Sequence, residues 1–197
     1  MEKKLRILAA SDLHGKRNVI EKLAQKASKE KVDLVILAGD IQGSEELNKK
    51  VLEPFKKVNK KVVFIPGNWE SKEEHEILRK QTKSIDDYYV TYNNVGIAGI
   101  GSEEWKMEFD KSDLEKIIKN FKRMKPKKKV LVSHLHASGT KAEFLGIEGD
   151  KILREAIKKV KPDLLISAHI HEAEGMEDRI GKTRVVQVGK NGKILEI

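Results

Sequence analysis

Residues 5–15 read LRILAASDLHG, and residues 33–40 read DLVILAGD. Each is a short apolar run that stops abruptly at carboxylate or imidazole side chains beside a glycine. Unbroken apolar runs of this length are the pattern of strands buried on both faces. Between them, Arg17–Lys31 carries Val19, Ile20, Leu23, Ala24 and Ala27 at helical spacing. A third run, KVVFI at 61–65, is stopped by Pro66 and Gly67. The segment Glu45–Val58, with Ser44 as N-cap, and the segment Ser71–Lys83 read as the helices on either side of it. Strands alternating with helices predict a parallel sheet with helices packed outside it.

The second half changes character. Tyr89–Asn93 and Val95–Ile100 read as a hairpin turning at Asn93-Asn94, a dipeptide that tolerates positive φ. A basic helix is expected over Ser112–Met124, a strand over Lys129–Ser133 (KVLVS), a helix over Asp150–Val160 and a strand over Asp163–Ser167 (DLLIS). From Glu174 onward the chain reads as short strands with turns at Gly181-Lys182 and Asn191-Gly192. No repeat, linker or low-complexity stretch interrupts it, so residues 1–197 are expected to form one domain with two sheets.

Composition bounds the function. A chain of 197 residues is long enough for one α/β domain with a full core. The net charge is +9, from 40 Lys plus Arg against 31 Asp plus Glu. Lysine supplies most of that charge and is spread over nearly every expected helix. Aromatics, at 5%, do not interleave with the basic runs as a single-strand stacking platform requires. Nucleic acid is therefore a possible partner that the sequence does not indicate, and weak steering of anionic substrates is the expected effect of the charge. The absence of cysteine excludes disulfides and thiolate metal sites. Heavy use of Lys and Glu without Cys matches thermophile composition. No apolar stretch approaches a membrane span, and the N-terminal run is too short for a secretory signal, so a cytoplasmic protein is expected.

The strand ends carry the chemistry. The first run ends at Asp12-Leu13-His14, the second at Gly39-Asp40, the third at Gly67-Asn68, KVLVS at His134, and DLLIS at His169-Ile170-His171. In open α/β sheets, sites form beyond the carboxyl ends of the strands. Residues i and i+2 share a side of extended chain, which pairs Asp12 with His14 and His169 with His171. A lone Asp-x-His means little. Four of the six histidines following strands in order, with carboxylates and an amide at the other ends, mean more. Mixed nitrogen and oxygen donors suit transition metals.

These motifs resemble those of the calcineurin-like metallophosphoesterase family, whose pattern is D-x-H, G-D, G-N-H-[DE], H and G-H-x-H in that order. This chain has D-L-H at 12–14, G-D at 39–40, G-N-W-E at 67–70, S-H at 133–134 and A-H-I-H at 168–171. The small prokaryotic and archaeal phosphoesterases of the family are similar in pattern. The resemblance implies an α/β fold in which a two-sheet β-sandwich is flanked by helices, four layers in the order αββα. It implies two divalent transition metal ions (Mn, Fe, Zn, Ni or Co). Asp12, His14, Asp40 and His171 would hold one, and Asp40, Asn68, His134 and His169 the other, with Asp40 as the bridge. The implied reaction is hydrolysis of a phosphodiester or an activated phosphomonoester by a metal-bridging hydroxide, with Asp40 and Asn68 among the catalytic residues.

Departures from the pattern carry information too. Trp69 stands where the family has the histidine that protonates the leaving oxygen. His136, two residues after His134, is on the metal side by extended spacing, as a replacement acid or phosphate contact; the alternative is an exposed loop histidine. Ala168 replaces a family glycine, and Gln187 stands where relatives have asparagine. Glu70 is expected to orient backbone or cap the Ser71 helix, His75 to be solvated, and Trp105 to be core or a substrate contact. The competing functions are a non-catalytic metal-binding scaffold of the same fold, and a nuclease.

Overall fold

The unbroken apolar runs resolve into alternation once two sheets are present, because successive residues of each central strand enter different cores. A computed structural model describes residues 4–43 and 48–197. In chain order the first half forms β1 (Arg6–Ala10), α1 (Arg17–Lys29), β2 (Leu34–Ala38), α2 (Glu53–Lys57), β3 (Val62–Ile65), α3 (Lys72–Gln81) and β4 (Lys83–Ser84). A hairpin of β5 (Tyr89–Tyr92) and β6 (Val95–Ile100) follows, then α4 (Lys111–Met124), β7 (Lys128–Ser133), α5 (Lys151–Val160) and β8 (Leu164–Ser167). The chain closes with β9 (Glu177–Ile180), β10 (Thr183–Gln187) and β11 (Lys193–Glu196).

One sheet has the order β11-β1-β2-β3-β4 and the other β5-β6-β7-β8-β10-β9. β1, β2, β3 and β4 run parallel, as do β6, β7, β8 and β10. Antiparallel strands β11, β5 and β9 close three of the edges. Ile7, Ala9, Leu34, Ile36, Val63 and Ile65 face Ile97, Val130, Val132, Leu164 and Ile166 across the sandwich. The intervening Leu8, Val35, Leu37 and Phe64 turn outward onto α1, α2 and α3. Leu131, Leu165 and Val185 turn the other way onto α4 and α5. Helix, sheet, sheet, helix is the layer order that the resemblance implied. No helix among the described residues is long and apolar enough to cross a membrane.

Local sequence rules explain most boundaries. Ser71 and Glu74 form a reciprocal capping box that starts α3, and Asp110 and Asp113 do the same for α4. Asn93 and Asn94 take φ of 47° and 63°, as a two-residue hairpin turn demands. The helix expected over Glu45–Val58 is the main correction. Only Glu53–Lys57 is helical within its described part, because Pro54 has no N–H and is tolerated only in a first turn. Its expected cap, Ser44, falls at 44–47, outside the described residues. The helix expected to reach Lys83 stops at Gln81, since Lys83 and Ser84 pair with Val63 and Phe64 as a two-residue strand.

Gly99 marks a close approach of the two sheets. A Cβ there would lie 2.5 Å from Ile65 Cγ2 and 2.8 Å from the Ile85 carbonyl oxygen. Gly99→Ala is therefore expected to lower stability by about 1–3 kcal/mol, the usual cost of overpacking a core. Urea unfolding followed by circular dichroism measures this, and an unchanged midpoint would contradict the contact.

Candidate metal centre

The carboxyl ends of the parallel strands from both sheets open on one rim, and each strand delivers its residues there. Ser11, Asp12 and His14 follow β1, Asp40 follows β2, Asn68 follows β3, His134 and His136 follow β7, and His169 and His171 follow β8. The sheets meet through these side chains. His134 Nε2 lies 2.9 Å from Asn68 Oδ1 and 3.5 Å from Asp40 Oδ2. His169 Nδ1 lies 3.1 Å from the same Asn68 oxygen. His171 Nε2 is 3.3 Å from Asp12 Oδ1, and the His14 ring is 5.7 Å from the His171 ring. Donor atoms of Asp12, His14 and His171 lie within 4.8 Å of one another, and so do those of Asp12, Asp40 and His134. All seven residues expected as metal ligands are thus in one cluster.

The backbone is bent to do this. Asp12, His14, Asp40 and His169 have φ of 56°, 45°, 52° and 72°, the left-handed region that residues with a Cβ enter at a cost. Such conformations cost on the order of 1–3 kcal/mol each and cluster at functional sites. Gly67 is needed for a different reason: a Cβ on it would collide with the Asp40 carboxylate.

The donor set fits a cation. His134 Nδ1 donates to the Ala38 carbonyl at 2.8 Å, since a carbonyl can only accept. In the neutral ring Nε2 is then a lone pair, and it faces the Asn68 oxygen, another lone pair. Asp12 Oδ1 is buried 3.3 Å from His171 Nε2, a pairing that raises His171 above its ordinary value, while Ser11 Oγ donates to Oδ2 at 2.5 Å. Imidazole nitrogens, carboxylate oxygens and an amide oxygen converging in one place are a donor set that suits a transition metal. Burial, with His134 close by, lowers His169 to about 4, so its ring is neutral and can act as a ligand at pH 7. Burial lowers His14 as well. Burial raises Asp40 against the opposing pull of His134. In Asp12, burial pushes upward but the His171 and His134 rings prevail and hold it below its ordinary value.

For His136 and Trp105 the structure removes one of two expected alternatives, and for His75 it overturns the expectation. His136 is buried rather than an exposed loop histidine; its Nε2 donates to the Ile147 carbonyl at 3.2 Å and its Nδ1 has no partner. His75, expected in solvent, is buried edge-on to Phe64, with Nδ1 2.6 Å from Glu103 Oε2 and Nε2 3.0 Å from Ser84 Oγ. Helical spacing puts it on the same face as buried Leu78, a signal that the surrounding charges masked. Trp105 is not core: it is 62% exposed and packs on Trp69.

Glu70 takes the first of its two expected parts, that of orienting backbone. It is fully buried and accepts the backbone N–H groups of Asp40 (2.9 Å), Ile41 (2.5 Å), Gln42 (2.8 Å) and Gly67 (2.6 Å). Capping of α3 falls instead to Glu74. Burial and the nearby Asp40 charge push Glu70 up to about 7, against the pull of the backbone donors. Glu70→Gln would turn an amide NH2 toward N–H groups that need acceptors. It is expected to cost on the order of 3 kcal/mol, the scale of one or more unsatisfied buried donors. Thermal unfolding of metal-free protein reads this without interference from ion binding, and an unchanged midpoint would refute it.

Comparison with known proteins agrees with the geometry. The calcineurin-like phosphoesterase profile matches residues 5–173. The uncharacterized protein MJ1162 of Methanocaldococcus jannaschii is 28% identical over 203 residues, covering 94% of this chain and 88% of that protein. Among solved structures, TT1561 of Thermus thermophilus superposes with a TM-score of 0.77 at 17% identity, covering 99% of both chains. A dimetal phosphatase from Danio rerio superposes with a TM-score of 0.69 at 12% identity, covering 95% of this chain and 88% of that one. This chain belongs to the calcineurin-like phosphoesterase family, metal-dependent hydrolases of phosphoric esters.

Proposed function

We propose that the protein is a binuclear metallophosphoesterase acting on a phosphodiester or an activated phosphomonoester. The observation that carries this reading is the convergence of His134 Nε2 and His169 Nδ1 on Asn68 Oδ1, with Asp40 Oδ2 3.5 Å from the same His134 nitrogen, next to the Asp12–His14–His171 group. Asp12, His14, Asp40 and His171 would hold one ion and Asp40, Asn68, His134 and His169 the second. Two bound transition metal ions would supply a nucleophilic water at neutral pH and neutralise the phosphoryl oxygens. The chain's own residues supply the rest. Asp40 would be shared by both ions, and its Oδ1 is steadied by the Trp69 N–H at 3.1 Å. The Ala38 carbonyl fixes the face that His134 presents.

Protonation of the leaving group is the weak point of this site. The Trp69 indole N–H donates a hydrogen bond but does not release its proton near neutral pH. His136 has a free Nδ1, yet burial lowers its basicity and Nε2 is committed to Ile147. General acid catalysis is worth about 10²–10⁴-fold, and its loss weighs most on basic leaving groups. The favoured substrates are then esters whose leaving group departs as a stable anion.

Saturation with Mn and removal of loose ion should leave close to two metal ions per chain by elemental analysis; a stable value of zero or one overturns the binuclear reading. Asp40→Asn should reduce turnover of bis(p-nitrophenyl) phosphate by more than Asn68→Asp does. The loss should exceed the roughly 100-fold seen when a group that only supports a ligand is removed.

A third prediction concerns Trp69→His. The variant should raise kcat for alkyl phosphomonoesters relative to aryl diesters, with a rate that falls as pH rises through the new histidine's pKa, because a general acid works in its protonated form. Equal changes in kcat for both leaving groups would show that protonation never limited the reaction.

A further inference from the structure

The chain has two tryptophans, Trp69 and Trp105, and both stand at the rim of the metal centre. Their ring centroids are 4.7 Å apart with planes inclined at 55°, and Trp69 meets the His14 ring edge-on at 5.9 Å. They are 49% and 62% exposed, so neither ring is accounted for by packing into a core. Trp105 and Glu104 also sit in the left-handed region, at φ 61° and 55°, where bulky side chains are rare. That turn is tied to the loop carrying Asn68: the Trp105 N–H donates to the Asn68 carbonyl and the Glu104 N–H to the Glu70 carbonyl, each at 2.9 Å. Side chains secure it further, through Lys72 to Glu104 at 2.7 Å and His75 to Glu103 at 2.6 Å. Two exposed indoles are therefore held in place by the same backbone that holds a metal-type side chain.

We infer that Trp69 and Trp105 form a stacking platform for a planar aromatic substituent of the phosphate ester, either a nucleobase or a simple aryl ring. The inference rests on the phosphoesterase reading for where the phosphate sits. Both rings are neutral and flat, and a phosphate ester seated at the cluster beside His14 extends its substituent past Trp69. Aromatic faces favour flat rings over aliphatic or sugar groups because two π-faces meet over their whole area. The platform places the tryptophan at 69 in ligand binding, at a position where the family pattern has its acid.

The two tryptophans make the test direct, because indole fluorescence reports on this pair alone. Mn-loaded protein is titrated with adenosine 5′-monophosphate, phenyl phosphate and ribose 5-phosphate, with excitation at the red edge of indole absorption. Adenosine 5′-monophosphate or phenyl phosphate should half-saturate at a concentration about tenfold below that for ribose 5-phosphate, the scale of one stacked ring. Tighter binding of the adenosine ester identifies a nucleobase, and parity with phenyl phosphate identifies a simple aryl ring. Trp105→Ala should remove the advantage while ribose 5-phosphate binding stays put, and Trp105→Phe should restore part of it. Equal half-saturation by aromatic and sugar phosphates, or fluorescence that tracks protein concentration as for a self-associating face, overturns the platform. Turnover of methyl p-nitrophenyl phosphate and of thymidine 5′-(p-nitrophenyl) phosphate, which share a leaving group, checks the underlying reading separately. Aromatic preference in binding with no turnover of either keeps the platform and rejects the hydrolase; turnover of both at equal KM with no binding preference does the reverse.

Discussion

The Glu70 carboxylate holds the site's architecture together. Its two oxygens gather four backbone N–H groups from the loops after β2 and β3. Those loops leave neighbouring strands of one sheet and carry Asp40 and Asn68. Without an acceptor between them, the donors would point at one another inside a region closed to water, at a cost of roughly 1–3 kcal/mol for each one left unmade. With it, the Asp40 backbone is fixed in the left-handed conformation that turns its carboxylate toward the second sheet. The remaining contacts build on that placement. His134 and His169 reach across from β7 and β8 to a target that is already rigid.

This arrangement also shows where the sandwich's stability goes. Four of the metal-type residues have strained backbone, and the carboxylates and imidazoles are packed with few protons to share. The cores on either side of the sheets and between them are continuous and apolar. Strain at the rim is tolerated because the strands that end there are anchored along their whole length by those cores. A filled metal site would remove part of the repulsion among the lone pairs, so ion binding and folding are coupled in the same direction.

Sequence patterns that depend on short-range rules were legible in advance. The strand runs, the start of a helix at Ser71, the Asn93-Asn94 turn and the placement of seven metal-type residues at strand ends all follow from local chemistry and from the register of a parallel sheet. What was not legible depends on contacts between distant segments. That Glu70 orients backbone was an expectation, but its partners lie 28 to 30 residues away, which no periodicity announces. His75 sits in a run of charges whose pattern hides the single inward face. The helix expected over Glu45–Val58 shows the opposite failure, since Pro54 is a local signal that confines its described part to Glu53–Lys57.

The role of position 69 follows from its neighbours on both sides. Asn68 must present its amide oxygen to His134 and His169, and Glu70 must turn inward to collect backbone donors. With both flanking side chains committed to the interior, the side chain between them is left facing the rim, beside His14. The part of residue 69 that the cluster uses is its backbone N–H, which donates to Asp40 Oδ1 and is common to every residue except proline. The side chain at 69 is thereby separated from assembly of the cluster. Exchange of an imidazole for an indole can change what the rim binds and how a leaving group departs while the carboxylates and imidazoles behind it keep their places.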